Sequence, residues 1–351
     1  MTDYKRGVRR LSAGLVALAV VIRLTTAFGL DQRAGQAVRR LLSEPEFAGF
    51  LFYLELGQAG SWQTAGQPAS AGTAKVKSNI FAVVPVIQPK KEAPAAEAPR
   101  ERLEFTQADA DAITIGGRST YQADKLALLT AETALDFQQD GPTVLIVHTH
   151  TSEAYAQETG WEYDENDTAR TQDPNYSVIR VGDELAETLE AHGIGVVHDT
   201  SFNDYPSYNG AYGRSLEKAE AWLAQYPSIQ MVIDIHRDAA ADANGAPVHY
   251  TADIGGEATA QLMLVIGTDE GGLSHPGWRD NLGWGLKLQA VLNRMYPGLC
   301  RSIDLRTERF NQHLTPGSLL VEVGASGNTL REALAAARDL GEGLAALIEG
   351  T

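Results

Sequence analysis

The sequence predicts an α/β protein: a mainly parallel, doubly wound sheet flanked by helices, preceded by a membrane anchor and a flexible linker. Three observations carry this. First, short apolar runs rich in Val, Ile and Leu (residues 144–147, 229–235 and 319–323) read as strands buried on both faces, as parallel sheets require. Second, segments with apolar residues at helical spacing alternate with these runs, which implies crossover helices. Third, the runs end in His148, His236 and Glu322, and the carboxyl edge of a parallel sheet is where α/β proteins place their sites.

The amino terminus carries Lys5, Arg6, Arg9 and Arg10, then a charge-free run over residues 11–22, then Arg23, then residues 24–30. The run before Arg23 is short for a span of roughly 20 residues. Continued to Leu30, with Arg23 snorkelling toward an interface, it suffices. The basic flank holds the start in the cytoplasm and sends the rest outward. No small-x-small cleavage site follows, so an uncleaved single-pass anchor is expected. Residues 47–56 form a second apolar patch, too short to span. Residues 57–100 are rich in Ala, Gln, Gly, Ser, Pro and Lys, a composition that builds no core and reads as a tether. The expected organisation is therefore a basic stub and anchor over 1–30, a juxtamembrane segment and linker over 31–100, and an extracytoplasmic folded domain over 101–351.

Within that domain the elements follow in order. After the strand at 144–147, Val178, Val181, Leu185 and Leu189 mark a helix ending at His192-Gly193, with the glycine as C-cap. Residues 194–197 form a second strand, ending in His198-Asp199. A Tyr-rich loop over 204–214 leads to a helix through Trp222 and Leu223. The third strand ends at His236, a fourth covers 261–266, a helix covers 281–295, and a fifth strand covers 319–324. The last helix covers 329–348, with Asn328 as N-cap.

Composition narrows the function classes. At 351 residues, with 44% hydrophobic and 21% charged residues, the chain has ample material for a core. A net charge of -16 argues against a nucleic-acid partner, whose phosphates reward Lys and Arg. The single cysteine, Cys300, excludes an intrachain disulfide and a Cys-rich metal centre, and reads as a buried small hydrophobe. A metal site must then use His and carboxylate, the set zinc takes in hydrolases.

His148, His150, Glu153 and His236 are the candidate metal ligands. Strand alternation places His148 and His150 on one face with Val144 and Ile146. Glu322 stands inside the apolar run Leu-Leu-Val-Glu-Val-Gly, where burial raises a carboxyl pKa and suits it to general acid–base work. Its rival role is a structural carboxylate paired to Arg214 or Arg237. Asp234 and Asp238 flank His236 and either could fix its tautomer. The loop tyrosines Tyr205, Tyr208 and Tyr212 are candidates to line a groove. His192, His249 and His275 are expected not to be ligands.

Four runs carry a family resemblance: His148-Thr-His-Thr-Ser-Glu-Ala-Tyr, Asp204-Tyr-Pro-Ser-Tyr-Asn-Gly-Ala-Tyr-Gly-Arg-Ser-Leu-Glu, Asp234-Ile-His-Arg-Asp and Asn311-Gln-His-Leu-Thr-Pro-Gly-Ser-Leu-Leu-Val-Glu-Val-Gly. In this order they resemble the stage II sporulation protein P family, over roughly residue 113 to the carboxyl terminus. The resemblance implies a zinc-dependent peptidoglycan hydrolase similar in fold to type 3 N-acetylmuramoyl-L-alanine amidases. Such enzymes cleave the bond between muramic acid and the stem peptide, and some also cut peptide crosslinks. It further implies action during engulfment in endospore formation, at the cell membrane facing the space between forespore and mother cell, alongside the stage II sporulation proteins D and M. By motif, one of His148 and His150, with Glu153 and His236, would hold Zn2+, and Glu322 would be the catalytic carboxylate. Ser152, Tyr208, Arg214, Asn311 and His313 are the candidate substrate-binding residues. Two alternatives remain open: a zinc peptidase acting on wall crosslinks alone, and a non-catalytic wall-binding protein.

Overall fold

The computed structural model describes residues 103–350, apart from 133 and 164–168. The chain divides into two units at Val76/Lys77, and every described residue lies in the second. The expected anchor and linker fall outside the described residues. No described helix is long and apolar enough to cross a membrane.

In chain order the elements are α1 (Gln107–Ala112), β1 (Ile115–Gly117), α2 (Lys125–Thr130), β2 (Val144–Val147), α3 (Val178–Ala191), β3 (Val196–His198), α4 (Ala211–Gln225) and β4 (Met231–Asp238). Then come β5 (Thr251–Ile254), β6 (Glu257–Ala260), β7 (Leu262–Gly267), α5 (Trp278–Met295), β8 (Ile303–Arg306), a 3-10 turn (Gln312–Leu314), β9 (Leu319–Ala325) and α6 (Leu330–Glu349). Seven strands form one sheet in the order β1-β8-β7-β9-β4-β2-β3. Each neighbouring pair is parallel except β7–β9, which is antiparallel, so the sheet is mainly parallel, as expected, with one antiparallel junction. The antiparallel β5–β6 hairpin stands apart from it.

Alternation along the strands divides the core unequally. Val144, Ile146, Met231, Ile233, Ile235, Leu319, Val321 and Val323 face the larger core with residues of α3, α5 and α6. Leu145, Val147 and Val232 face the other way, into a smaller cluster with Ala219, Trp222 and Leu223 of α4. Leu320 and Glu322 alternate with Val321 and Val323 and so belong to this α4 side.

Helix ends follow local chemistry. Ser177 caps α3 by accepting from the Ile179 amide, and Gly193 takes a φ of 76° just past its carboxyl end, as expected of a glycine there. The N-cap of α6 is Thr329, in a capping box with Glu332, and not the expected Asn328. The buried Asn328 side chain instead accepts from the amides of Tyr250 and Ala325 and donates to the Tyr250 carbonyl, tying the β5 approach to the end of β9. Cys300 is half-buried, and burial pushes its thiol up to about 12, leaving it an inert small side chain.

Candidate functional site

β2 stops at Val147, and a turn over residues 149–152 follows. Strand alternation therefore reaches His148 but not His150. His148 keeps the Val144/Ile146 face and points under α3, where its Nδ1 meets the Ile235 carbonyl at 3.1 Å and its Nε2 meets His198 Nε2 at 2.7 Å. The expectation that both histidines share a face fails because the strand ends before them and the turn at 149–152 carries His150 away. With both ring nitrogens engaged, His148 is not placed to join Glu153 and His236 as a ligand.

The turn is held from three directions. Thr151 Oγ1 and Asn203 Nδ2 donate to the His148 carbonyl at 2.8 and 2.9 Å. Asp204 accepts from the Ser152 amide and hydroxyl. Asp234 accepts from the amide and hydroxyl of Thr149 at 2.8 and 2.6 Å. So fixed, the turn carries the His150 ring to 5.4 Å from the His236 ring, edge to face.

His236 sits at the end of β4, just before a register shift that lies between it and Asp238. Its Nδ1 lies 3.5 Å from Glu153 Oε2. Its Nε2 lies 2.9 Å from Asp234 Oδ1, at ion-pairing distance but not aligned for a hydrogen bond. Burial depresses the His236 pKa, but Asp234 and Glu153 outweigh it and hold the imidazole well above its ordinary range. Glu153 is itself locked: Arg170 donates to Oε1 at 3.1 Å and the Arg237 amide to Oε2 at 3.2 Å. Burial raises the Glu153 carboxyl, yet the His236 hydrogen bond and the Arg237 charge prevail and keep it below the carboxylate range. His150 differs from His236. Burial alone dominates, pushing it down to about 3, and its Nδ1 is buried without a partner.

Glu322 pairs in register with His236 on β4 and with Met263 on β7, so the three form a row across the sheet on the α4 side. It is the only residue of β9 not fully buried. Burial pushes its carboxyl up to about 8, against the pull of His236, and Oε2 is buried without a partner. The structural roles weighed for its arginine neighbours find other partners. Arg214 donates to the carbonyls of Asn203, Ser207 and Asn209. Arg237 donates to those of Ala154 and Ala169. Asp238 pairs with Arg301 at 2.9 Å, leaving Asp234 as the carboxylate beside the His236 ring.

The remaining candidates divide into bracing and contact residues. Ser152 bonds to Asp204, and Asn311 donates to the Tyr212 carbonyl and Ser215 Oγ. Both brace the walls, as does Arg214. Tyr208 stacks on His150 with centroids 4.3 Å apart and planes within 8°. The Arg170 guanidinium lies over the same tyrosine, 4.9 Å from its centroid. Tyr205 and Tyr208 are 53% and 56% exposed on the same loop, and half-buried Tyr212 meets His150 edge to face. His313 lies on the 3-10 turn, with Nδ1 unpartnered. His192 and His249 pair with Glu342 and Glu332, as befits residues outside the site. Sequence reading missed Arg170, because its loop carries no periodicity, and missed Met263, which only sheet register reveals.

The donor chemistry fits zinc: two imidazoles and a carboxylate, with buried atoms of His150, His236 and Glu322 lacking hydrogen-bond partners. Among the described residues no three His, Cys, Asp or Glu side chains are gathered as a ready-made metal cluster.

Fold and site define an α/β protein with a buried two-histidine, two-glutamate constellation at the carboxyl edge of a mixed sheet. The chain belongs to the stage II sporulation protein P family, whose family model matches residues 69–345. The stage II sporulation protein P of Bacillus subtilis (strain 168) is 30% identical over 204 residues, covering 55% of this chain and 48% of that relative. The chain thus spans about half the length of the curated relative it matches. Among solved structures, N-acetylmuramyl-L-alanine amidases of Mycobacterium abscessus (apo form) and Mycobacterium smegmatis are 12% and 11% identical. Each match covers 60% of this chain, and 97% and 95% of those chains, with TM-scores of 0.34 and 0.33. Scores of this size establish neither fold nor activity.

Proposed function

We propose that the chain is a sporulation peptidoglycan hydrolase, a zinc-dependent N-acetylmuramoyl-L-alanine amidase working in engulfment. The observation that carries this reading is the meeting of His150, Glu153, His236 and Glu322 at one sheet edge, from segments far apart in the chain. Family membership supplies the biological setting. The same reading includes an amino-terminal anchor in the cell membrane, an extracytoplasmic folded domain, and the stage II sporulation proteins D and M as partners.

His150, Glu153 and His236 would hold the zinc ion, which when bound polarises the amide carbonyl and lowers the pKa of water. Thr149 fixes Asp234, and Asp234 in turn orients His236. Arg170 and the Arg237 amide hold Glu153 in place. Glu322, with a pKa near the working pH, takes a proton from the attacking water and delivers it to the alanine nitrogen as the carbon–nitrogen bond breaks. The exposed rings of Tyr205 and Tyr208 offer apolar contact and hydroxyls to the wall polymer.

The test is to incubate the purified full chain with peptidoglycan, with and without chelator, and to identify soluble products by mass spectrometry. Free stem peptides beginning at L-alanine, lost with chelator and restored by zinc, support the amidase reading. Cut crosslinks alone replace it with a peptidase, and bound but intact wall replaces it with a binding protein.

A further inference from the structure

On the face of the sheet opposite Glu322, four groups form an unbroken chain that runs from a half-exposed Asp183 carboxylate inward to the buried His148. Asp183 Oδ1 on α3 lies 3.0 Å from His198 Nδ1 on β3. His198 Nε2 lies 2.7 Å from His148 Nε2, and His148 Nδ1 lies 3.1 Å from the Ile235 carbonyl on β4. A carbonyl only accepts, so His148 Nδ1 must carry the proton. His148 Nε2 is then a bare lone pair, and the proton between the rings belongs to His198 Nε2. The Asp183 carboxylate closes the chain at the other ring nitrogen of His198.

The sequence makes room for this chain at one position. A Cβ on Gly182 would lie 2.6 Å from His198 Nε2 and 2.7 Å from His148 Nε2, on a helix where alanine is otherwise the better former. The residue that receives the last hydrogen bond, Ile235, directly precedes His236, and the carbonyl of His148 is the anchor of the turn to His150.

We infer that Asp183 and His198 are positioning residues, which act through His148 to set the strand ends carrying His150 and His236. The inference rests on the proposed site but concerns groups that touch neither substrate nor the four site residues. It assigns His148 a role that sequence motif alone had attached to metal ligation. Outer partners of this kind typically change metal affinity or activity by about 10–100-fold when removed.

The experiment uses the full chain. Long-range proton–nitrogen NMR of the zinc-free protein reports the ring tautomers directly: His148 with its proton on Nδ1, and His198 donating to it from Nε2. Zinc affinity by chelator competition, and kcat and KM on peptidoglycan fragments, are then compared among variants. His198→Leu and Gly182→Ala are expected to weaken zinc binding and lower kcat by roughly 10-fold, with KM within about two-fold. His198→Gln, which keeps a donor toward His148, restores most of the loss. A His148 proton on Nε2 would overturn the inference, as would wild-type zinc affinity in both Gly182→Ala and His198→Leu. Where His198→Leu does not fold, Gly182→Ala and the tautomers decide. A wild-type chain that neither binds zinc nor cuts wall defeats the functional reading, while the tautomers still judge the relay.

Discussion

His236 and Glu322 are register partners across the parallel pair β4–β9, although 86 residues separate them in sequence. Both project on the α4 side, opposite the larger core. A titratable pair on adjacent strands of one face is coupled: the imidazolium beside two carboxylates pulls the Glu322 pKa down, while burial pushes it up to about 8. Chemistry at this edge therefore follows from the proton inventory of four side chains.

The stability of the zinc-free protein should carry the signature of Glu322. Its folded pKa is about 8 against an ordinary value of 4.5, so between these values the folded chain holds a proton that the unfolded chain has released. Stability then falls as pH rises through that window. The histidines at about 3, His148 and His150, act the opposite way below pH 6.5 and are common to both proteins compared. Thermal melts of wild type and Glu322→Gln in chelator should diverge from about pH 5 to about pH 8, with the variant gaining relative to wild type. A constant difference would refute the raised carboxyl.

Zinc must compete with a proton at His236. Asp234 and Glu153 hold the imidazole protonated at neutral pH, whereas His150 is already neutral. Zinc binding should release a proton, and affinity should rise with pH through the neutral range. Calorimetry in buffers of different ionisation enthalpy measures the release directly. Binding without proton release would contradict the assignment of His236 as a ligand.

The Tyr208 ring fixes the plane of His150 from a position still half open to solvent. Such stacking contributes about 0.5–1.5 kcal/mol. Tyr208→Phe should keep turnover within about two-fold, while Tyr208→Ala should lower kcat/KM roughly 10-fold, as 1.4 kcal/mol implies. Steady-state kinetics on wall fragments decide between stacking and mere occupancy.

Arg214 braces the loop that presents Tyr205 and Tyr208. Its guanidinium donates to three carbonyls, a planar pattern that an ammonium does not reproduce. Arg214→Lys should preserve the fold within about 1–2 kcal/mol yet raise KM. Amide hydrogen exchange over residues 203–210 should accelerate in parallel. A direct substrate contact by Arg214 would instead raise KM with unchanged exchange.

Much of this was legible in the sequence, because buried parallel strands write themselves as short apolar runs. The strands ending at Val147, Asp238 and Ala325 and the helices α3 and α6 lie within a few residues of the bounds their apolar patterns mark. What escaped was what period alone does not encode. β8 alternates Ile-Asp-Leu-Arg over only four residues and leaves no apolar run. The antiparallel placement of β7 against β9 depends on the path of the chain after the hairpin, not on strand composition. His148 and His150 look equivalent in the sequence because nothing in its pattern marks the end of β2 at Val147. Asn328 looked like an N-cap because its type suits one, but the neighbouring Thr329 has Glu332 at the spacing a capping box needs.

The central claim is that His150, Glu153 and His236 hold the metal while Glu322 moves the proton. The most direct measurement is zinc content and amide cleavage on the same preparation of Glu322→Gln, beside wild type. The account predicts stoichiometric zinc in both proteins and cleavage lowered by at least about 100-fold in the variant, the scale of a lost general acid–base group. An active Glu322→Gln enzyme, or one that has lost its zinc, would contradict it.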